Sequence, residues 1–463
     1  MSNRSPLFRQ RLWRWHFIAG LVVCPFAILL SITGAIYLFK PQIENYEEAT
    51  INALAPVVEQ GAQSIALDRQ IRTLLAANPD SSFKRLILDK PGDRSLEIEL
   101  QNTQGETSLY WIDTLTGQVL ASKLSDQRFI YLVKKLHSEL LLGNAGSYVV
   151  ELMASWLIIL VITGLYLWLS KPENNINRRQ ILVAQLNAQP RVKKMRNLHS
   201  VAGIWFTVPI IVLLLSGLPW TQLWGSGFDR VKEIAGISGP GQEWFVTLKS
   251  KSPESTIARI PKSNLWEITD SSHDGHDHHG HHGSAPSVDL DGLNLNVLND
   301  IRIKAEVVQL VHPVQIVSPK PDNGVWTVRS MPGQRSQRET IHYDQYSGEQ
   351  IMRIGFKDHH PVERFVSQGV SLHEGALFGW FNQLLGVLTA LAVICISCFG
   401  LYAWWLRKPA QASSTSATAT SPGFVALIII FGLLLPAAGI SFVIICLFEA
   451  LRNKRIFVNN QKK

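Results

Sequence analysis

The chain has 463 residues, with 44 Lys and Arg against 36 Asp and Glu, so it is modestly basic and too long for one small domain. Its bases sit beside apolar runs, which excludes nucleic-acid binding as the meaning of the charge. All four cysteines, Cys24, Cys395, Cys398 and Cys446, lie inside apolar runs, which excludes a disulfide-stapled exported domain.

Five apolar runs, 17–39, 147–169, 200–220, 376–406 and 423–450, are each long enough to cross about 30 Å of hydrocarbon as a helix. The first follows Arg4, Arg9, Arg11 and Arg14. It is too long for a signal peptide and lacks a small-residue cleavage site. Residues 170–198 carry Lys171, Arg178, Arg179, Arg191, Lys193, Lys194 and Arg196 against only Glu173. Short basic flanks stay in the cytoplasm, so both long polar stretches belong on the far side, which is the periplasm if the cell is Gram-negative. The expected organisation runs from a cytoplasmic N-terminus and first span (1–39) to a first outer domain (40–136) and a second span (137–169). A basic loop (170–198), a third span (199–224) and a second outer domain (225–370) follow. A fourth span (371–408) and a linker with a fifth hydrophobic helix and basic tail (409–463) complete it. Cys395-x-x-Cys398 has redox spacing, but on a membrane helix it reads as small packing residues. Pro436 predicts a kink in the fifth segment. By parity that segment would carry its basic end "LRNKRIF" outward against the charge rule, so a re-entrant or hairpin arrangement is the alternative.

The sequence repeats itself. "HFIAGLVVCPFAILLSITG" from His16 matches "HSVAGIWFTVPIIVLLLSG" from His199, with Ala-Gly three and four residues on and a glycine eighteen on (Gly34, Gly217). His137 and His373 open a second matched pair. Glycines lie at +6 (Gly143, Gly379) and +27 (Gly164, Gly400), Leu-Tyr follows, and Trp168 and Trp404 stand at +31. Both then run to Lys-Pro, at 171–172 and 408–409. The outer loops repeat "SLYWIDTLTGQVLAS" (108–122) as "TIHYDQYSGEQIMRI" (340–354), with Asp-x-x-x-Gly in each. Helical stretches (64–77, 291–304) and alternating runs such as "SLEIELQ" and "GVWTVRS" precede them. The fold class is therefore a membrane α-helical bundle with two small α+β domains, each with an antiparallel sheet. The second domain carries a His-rich insertion, 271–287.

By this topology His16 and His199 lie together at the cytoplasmic side, and His137 and His373 at the outer side. A lone histidine at a membrane boundary is an ordinary interfacial residue. Four in matched frames, pairing by side, point to axial ligation of haem iron. Each helix carries one such histidine, so each haem would be clamped between helices. Gly20 and Gly203 lie one turn after their histidines, on the face where a flat macrocycle needs room. Arg14, Arg196, Lys134 and Lys135 stand two or three residues before a histidine, within reach of propionates. Zinc, the competing metal, favours more protein ligands gathered at one point. Glu151, without a counterpart in the fourth span (Val387), reads as a snorkelling boundary carboxylate.

With "LHSELLLGNAG", "LHEGALFG", "TGLYLW", "FGLYAWW" and the paired Asp-x-x-x-Gly loops, the chain resembles the PepSY-associated transmembrane helix family over nearly its whole length. The resemblance implies two b-type haems, periplasmic PepSY domains flanking the electron exit, and the four matched histidines as axial ligands. Its bacterial relatives include bis-haem reductases of ferric siderophores in iron uptake. The primary expectation is therefore haem-dependent electron transfer to a periplasmic ferric siderophore or other metal chelate. No dinucleotide fingerprint is present, so electrons would come from quinol or a separate reductase. His273, His276, His278, His279, His281 and His282 of the insertion, with Asp274 and Asp277, suit weak binding of a divalent metal or are an incidental linker. Two other readings remain open: a PepSY-domain regulator of a peptidase or partner protein, and a copper, zinc or iron transporter.

Overall fold

The computed structural model describes residues 6–58, 63–88, 94–170, 182–237, 250, 295–319, 324–406 and 422–461. The His-rich insertion with its six histidines, and both Lys-Pro pairs, lie outside the described residues. The chain divides into two compact units. One comprises Met1–Ile36, Lys134–Phe228 and Leu384–Lys463, the other Tyr37–Val133 and Asp229–Gln383. In chain order the helices are α1 (Pro6–Tyr37), α2 (Lys40–Asn52), α3 (Leu67–Ala77), α4 (Phe129–Glu139), α5 (Gly143–Leu169), α6 (Arg191–Gly217), α7 (Gln222–Ala235), α8 (Leu295–Val307), α9 (Pro361–His373), α10 (Trp380–Trp405), α11 (Pro422–Leu434) and α12 (Pro436–Gln461). The strands are β1 (Ser81–Leu88), β2 (Ser95–Asn102), β3 (Thr107–Asp113), β4 (Val119–Leu124), β5 (Val314–Val317), β6 (Val325–Ser330), β7 (Glu339–Asp344) and β8 (Gln350–Gly355).

Four helices of the first unit are long and apolar enough to cross a membrane: Phe8–Tyr37, Gly143–Leu169, Arg191–Trp220 and Trp380–Trp405. They meet through Val23, Ala27, Met153, Leu160, Ile210 and Val393, one core drawing on α1, α5, α6 and α10. Most of their remaining apolar surface faces outward, as expected where lipid is the solvent. The second span does not begin at His137. Leu140 and Leu141 take left-handed φ values of 53° and 60°, and they separate α4 from α5. The end of α4 then presses on α5 so closely that a Cβ at Gly146 would collide with the Glu139 carbonyl.

The single fifth hydrophobic helix expected over 423–450 is instead two, α11 and α12. Pro436 marks a reversal rather than a kink. A Cβ on Gly439 would lie 2.5 Å from the carbonyl oxygen of Gly432, seven residues earlier, so the two backbones touch. At 1.5 Å per residue α11 is about 20 Å long, short of a full crossing. Leu435 and Ala438 at the reversal pack against Ile158, Ile159 and Leu218, and Trp156 Nε1 donates to Ser441 Oγ at 3.1 Å.

The second unit holds one antiparallel sheet of order β4-β3-β2-β1-β5-β6-β7-β8. The sequence predicts a separate sheet in each loop; β1 and β5 join them, with Leu86 opposite Ile316. Each would otherwise be an exposed edge, and pairing satisfies both rows of backbone groups. Strand alternation puts Leu96, Ile98 and Leu100 of β2 on the face packed by α3 and α8. Leu67, Ile71, Leu74 and Leu75 form the matching stripe of α3. Glu97 and Glu99 fall on the opposite face, both buried. There Glu99 pairs with Arg85, and Arg128 bridges Glu47 at 3.0 Å and Glu97 at 3.8 Å. The two Asp-x-x-x-Gly stretches form the same turn. Gly117 N donates to Asp113 O at 2.8 Å and Gly348 N to Asp344 O at 3.0 Å, with φ of 70° and 67° at the glycines. Both positions need the left-handed backbone that glycine adopts without strain.

Candidate functional site

In the first unit α1 presents His16 and α6 presents His199. Their ring centroids are 6.4 Å apart with planes at 85°. A metal–imidazole bond of about 2 Å, plus roughly 1 Å from ring nitrogen to ring centre, puts two opposed imidazole centroids about 6 Å apart on one metal ion. The spacing therefore fits a shared axial axis, while no hydrogen bond could link rings so far apart.

The proton positions follow from the partners. Thr163 of α5 lies 2.9 Å from His16 Nδ1. The same hydroxyl lies 2.8 Å from the Ile159 carbonyl, an acceptor for its proton, and with the proton there the oxygen is free to accept from Nδ1–H. His199 Nδ1 donates to the carbonyl of Ile396 on α10 at 2.8 Å, an acceptor-only group. His137 repeats the arrangement. Its Nδ1 lies 3.0 Å from Thr33 Oγ1 on α1, whose hydroxyl also lies 2.9 Å from Leu29 O. His199 therefore carries its proton on Nδ1 and keeps the lone pair on Nε2, and in all three rings Nδ1 is the nitrogen engaged by a neighbouring helix. Orientation of a metal-binding imidazole through its other nitrogen is the usual support in such sites.

The repeated glycines seat these rings. A Cβ on Gly34 would lie 2.9 Å from His137 Cε1, one on Gly164 3.1 Å from His16 Cε1, and one on Gly400 3.2 Å from His199 Nδ1. The residue before Gly34 and before Gly164 is the threonine that binds Nδ1, so one Thr-Gly pair both holds and accommodates a ring. The sequence offsets +18 and +27 carried this signal, although the proximity argument pointed to Gly20 and Gly203. Added Cβ atoms there would meet only Leu160, at 4.0 Å, and nothing within 4 Å, respectively. Both glycines thus leave room on their histidine's face. Among the described residues no three His, Cys, Asp or Glu side chains gather to hold a metal ion. Two imidazoles at this spacing suit haem, whose porphyrin would supply the other four donors.

His373 belongs to the second unit, so its partnership with His137 stays an expectation from the matched offsets. It is the last residue of α9, a helix started by Pro361 and capped by the His360 side chain. Along α9, Glu363, Ser367 and Ser371 form a fully buried polar stripe. Glu363 lies 3.8 Å from the buried Lys232 ammonium of α7. No base precedes His373 in sequence, yet the fold brings two. Arg335 Nε and Nη2 donate to Glu374 Oε2 and Oε1 at 3.3 and 3.0 Å, and buried Arg338 stands near both. Burial opposes ionisation of Glu374, but the two guanidinium groups outweigh it and hold the carboxyl below its usual range. Nothing in the local sequence signals this cluster.

Glu151 is not a snorkelling carboxylate. It is fully buried and accepts from Leu223 N at 2.8 Å and Trp224 N at 3.0 Å. Gln222 N and the Thr221 hydroxyl also donate to it. The carboxylate caps the start of α7, where unpaired amides and the helix dipole favour an anion.

No curated protein matches the chain. A family model described as the PepSY-associated TM region matches residues 13–407, and the chain, a membrane protein with four helices able to span among its described residues, belongs to that family.

Proposed function

We propose that the protein is a bis-haem oxidoreductase that carries electrons across a bacterial inner membrane and reduces a ferric chelate, such as a ferric siderophore, on the periplasmic side. His16 and His199 are assigned to the inner haem, His137 and His373 to the outer one. The observation that carries the reading is the 6.4 Å separation of the His16 and His199 rings, each with Nδ1 spent on a neighbouring helix. The outer pair rests on the duplicated frame and on the matching Thr33–His137 bond. Haem supplies the one-electron chemistry that side chains lack. The helices contribute ligands oriented through Nδ1 and low-dielectric surroundings. Reduction suits iron release, because hard chelate oxygens grip Fe(III) far more tightly than Fe(II).

Basic residues 1–15 and 170–198 support cytoplasmic placement of those flanks. The α11–α12 reversal supports it as well, since a hairpin returns the basic tail to the side where the fourth span ends. Electrons are assigned to quinol or a separate reductase. The purified protein should show reducible Soret and α bands and two haems per chain. His16→Ala and His137→Ala should each remove one, leaving the other spectrally intact. A preparation without haem, or variants that lose neither centre, would overturn the proposal.

A further inference from the structure

Helix α8 of the second unit has the polarity of a helix in water. Leu295, Leu298, Ile301 and Ala305 point into the core. Its outer side carries charge, with Lys304 paired to Asp300 at 2.6 Å and Arg302 to Glu306 at 2.9 Å. Helix α9 of the same unit is turned inside out. Glu363, Ser367 and Ser371, four residues apart on one face, are fully buried. Glu363 lies 3.4 Å from the His359 imidazole and 3.8 Å from the Lys232 ammonium. Ser371 Oγ accepts from Arg335 N at 3.1 Å. At about 100° per residue the opposite side of α9 is formed by Val362, Phe365, Gly369 and Leu372, with no charge among them. Phe365 is 80% exposed.

The first copy of the frame shows the same feature. Phe129 and Leu132 of α4 are exposed, one turn apart, while Ile130, Tyr131 and Val133 beside them are buried. Phe129 and Phe365 each stand eight residues before a matched histidine, His137 and His373. An exposed phenylalanine at one repeated position in both copies is not a stray surface residue. The chain then enters the fourth span through aromatic side chains. Phe378, Trp380 and Phe381 are each more than half exposed, and α10 begins seven residues after His373. Exposed aromatic rings where a span begins mark the membrane–water interface. A helix against lipid keeps its polar groups on the protein side and its apolar groups outward, which is the polarity of α9. With 13 residues, α9 is about 20 Å long, too short to cross about 30 Å of hydrocarbon. Such a helix lies along a bilayer surface rather than through it.

We propose that α9 and the start of α4 lie in the interfacial region of the leaflet on the second unit's side, with Phe365, Leu372, Phe129 and Leu132 against the acyl chains. The partner is the lipid surface itself. Continuity of α9 with the aromatic entrance of a membrane span selects lipid over a second protein as the occupant. The second unit is thereby held to the bilayer by its own helices and not only by the chain crossings. The assignment needs the spans alone and stands apart from the haem reading.

The test places the photoreactive residue p-benzoyl-phenylalanine at one position of the full-length protein at a time: Phe365, Phe129, Ile303 on α8, or Leu391 inside the fourth span. All four are exposed side chains, so the fold should tolerate the exchange. Native membranes are irradiated, and mass spectrometry of the purified chain reads what was captured. Positions 365, 129 and 391 should gain the mass of a phospholipid, and position 303 should not. Absence of a phospholipid adduct at 365, with one present at 391, would overturn the proposal. So would capture of a second copy of the chain or of another protein at 365, because the apolar face would then be a protein interface. Equal lipid capture at 303 and 365 would also overturn it, since α9 would then be no closer to lipid than a water-facing helix.

Discussion

Gly34→Ala tests whether the glycines are ring seats. The new Cβ would stand 2.9 Å from His137 Cε1, against a favourable carbon–carbon separation of about 3.5–4.0 Å. The ring cannot simply retreat, because the adjacent Thr33 holds its Nδ1 at 3.0 Å. Moving away stretches that bond, and staying overlaps the methyl. Overpacking of this kind costs about 1–3 kcal/mol, or roughly 5- to 150-fold in retention of a ligand that needs the native ring position. Gly164→Ala and Gly400→Ala, with contacts of 3.1 and 3.2 Å, should be milder and should act on the His16/His199 site. Gly227→Ala is the control, since its Cβ meets nothing within 4 Å. Haem per chain and the two reduced α bands, measured after detergent purification, separate the sites. Full loading of Gly34→Ala, or loss of the inner centre instead of the outer, would refute the reasoning.

Glu151→Ala should lower the thermal stability of the membrane unit, by about 1–3 kcal/mol for the donors it strands at the start of α7; an unchanged melting curve would show that solvent or lipid replaces it. His342, whose imidazole is buried and bonded to Thr327 at 3.1 Å, is pushed down to about 3 by burial and then by Arg329. An unfolded histidine takes its proton near 6.5, so this stabilisation is complete above pH 6.5 and lost as pH falls from there toward 3, at about 1.4 kcal/mol per pH unit. His342→Gln should flatten the stability profile across that window, and a profile as steep as wild type would contradict it. Gly439→Leu should force α11 and α12 apart and expose the reversal to proteolysis; a variant as resistant as wild type would mean that the hairpin is not held by the glycine contact.

Four spans and the histidine frame were legible because apolar length and repeated offsets are one-dimensional signals. The features that escaped depend on partners distant in the chain. Leu140 and Leu141 give no cue for left-handed backbone, so the sequence reads His137 and the second span as one element. Around Pro436 the sequence leaves a kinked span and a hairpin both open, and the contact of Gly432 with Gly439 decides for the hairpin. The two loop sheets fuse through β1 and β5, whose pairing spans more than two hundred residues. Glu151 looked like a boundary acid because its true partners, the first amides of α7, follow it by about seventy residues. Arg335 and Arg338 were invisible as neighbours of His373, since only the β6–β7 loop carries them there.

A common rule connects the legible and the hidden parts. No helix completes a histidine site alone. His16 stands on α1 but is oriented by α5, His199 on α6 but oriented by α10, and His137 on α4 but oriented by α1. Each of these three rings therefore reports the docking of one helix on another, and a single displaced helix would turn an imidazole. The acceptors are also unequal: hydroxyl oxygens serve His16 and His137, a backbone carbonyl serves His199. Phe399, at the position matching Thr163, cannot accept a hydrogen bond, so the ring turns to Ile396 O. A carbonyl accepts the Nδ1 proton outright, whereas a hydroxyl can accept or donate, and a firmly held Nδ1–H makes Nε2 the better electron donor. In the proposed inner site His199 and His16 would thus be ligands of different strength, a difference that follows from one substitution between the two copies of the frame.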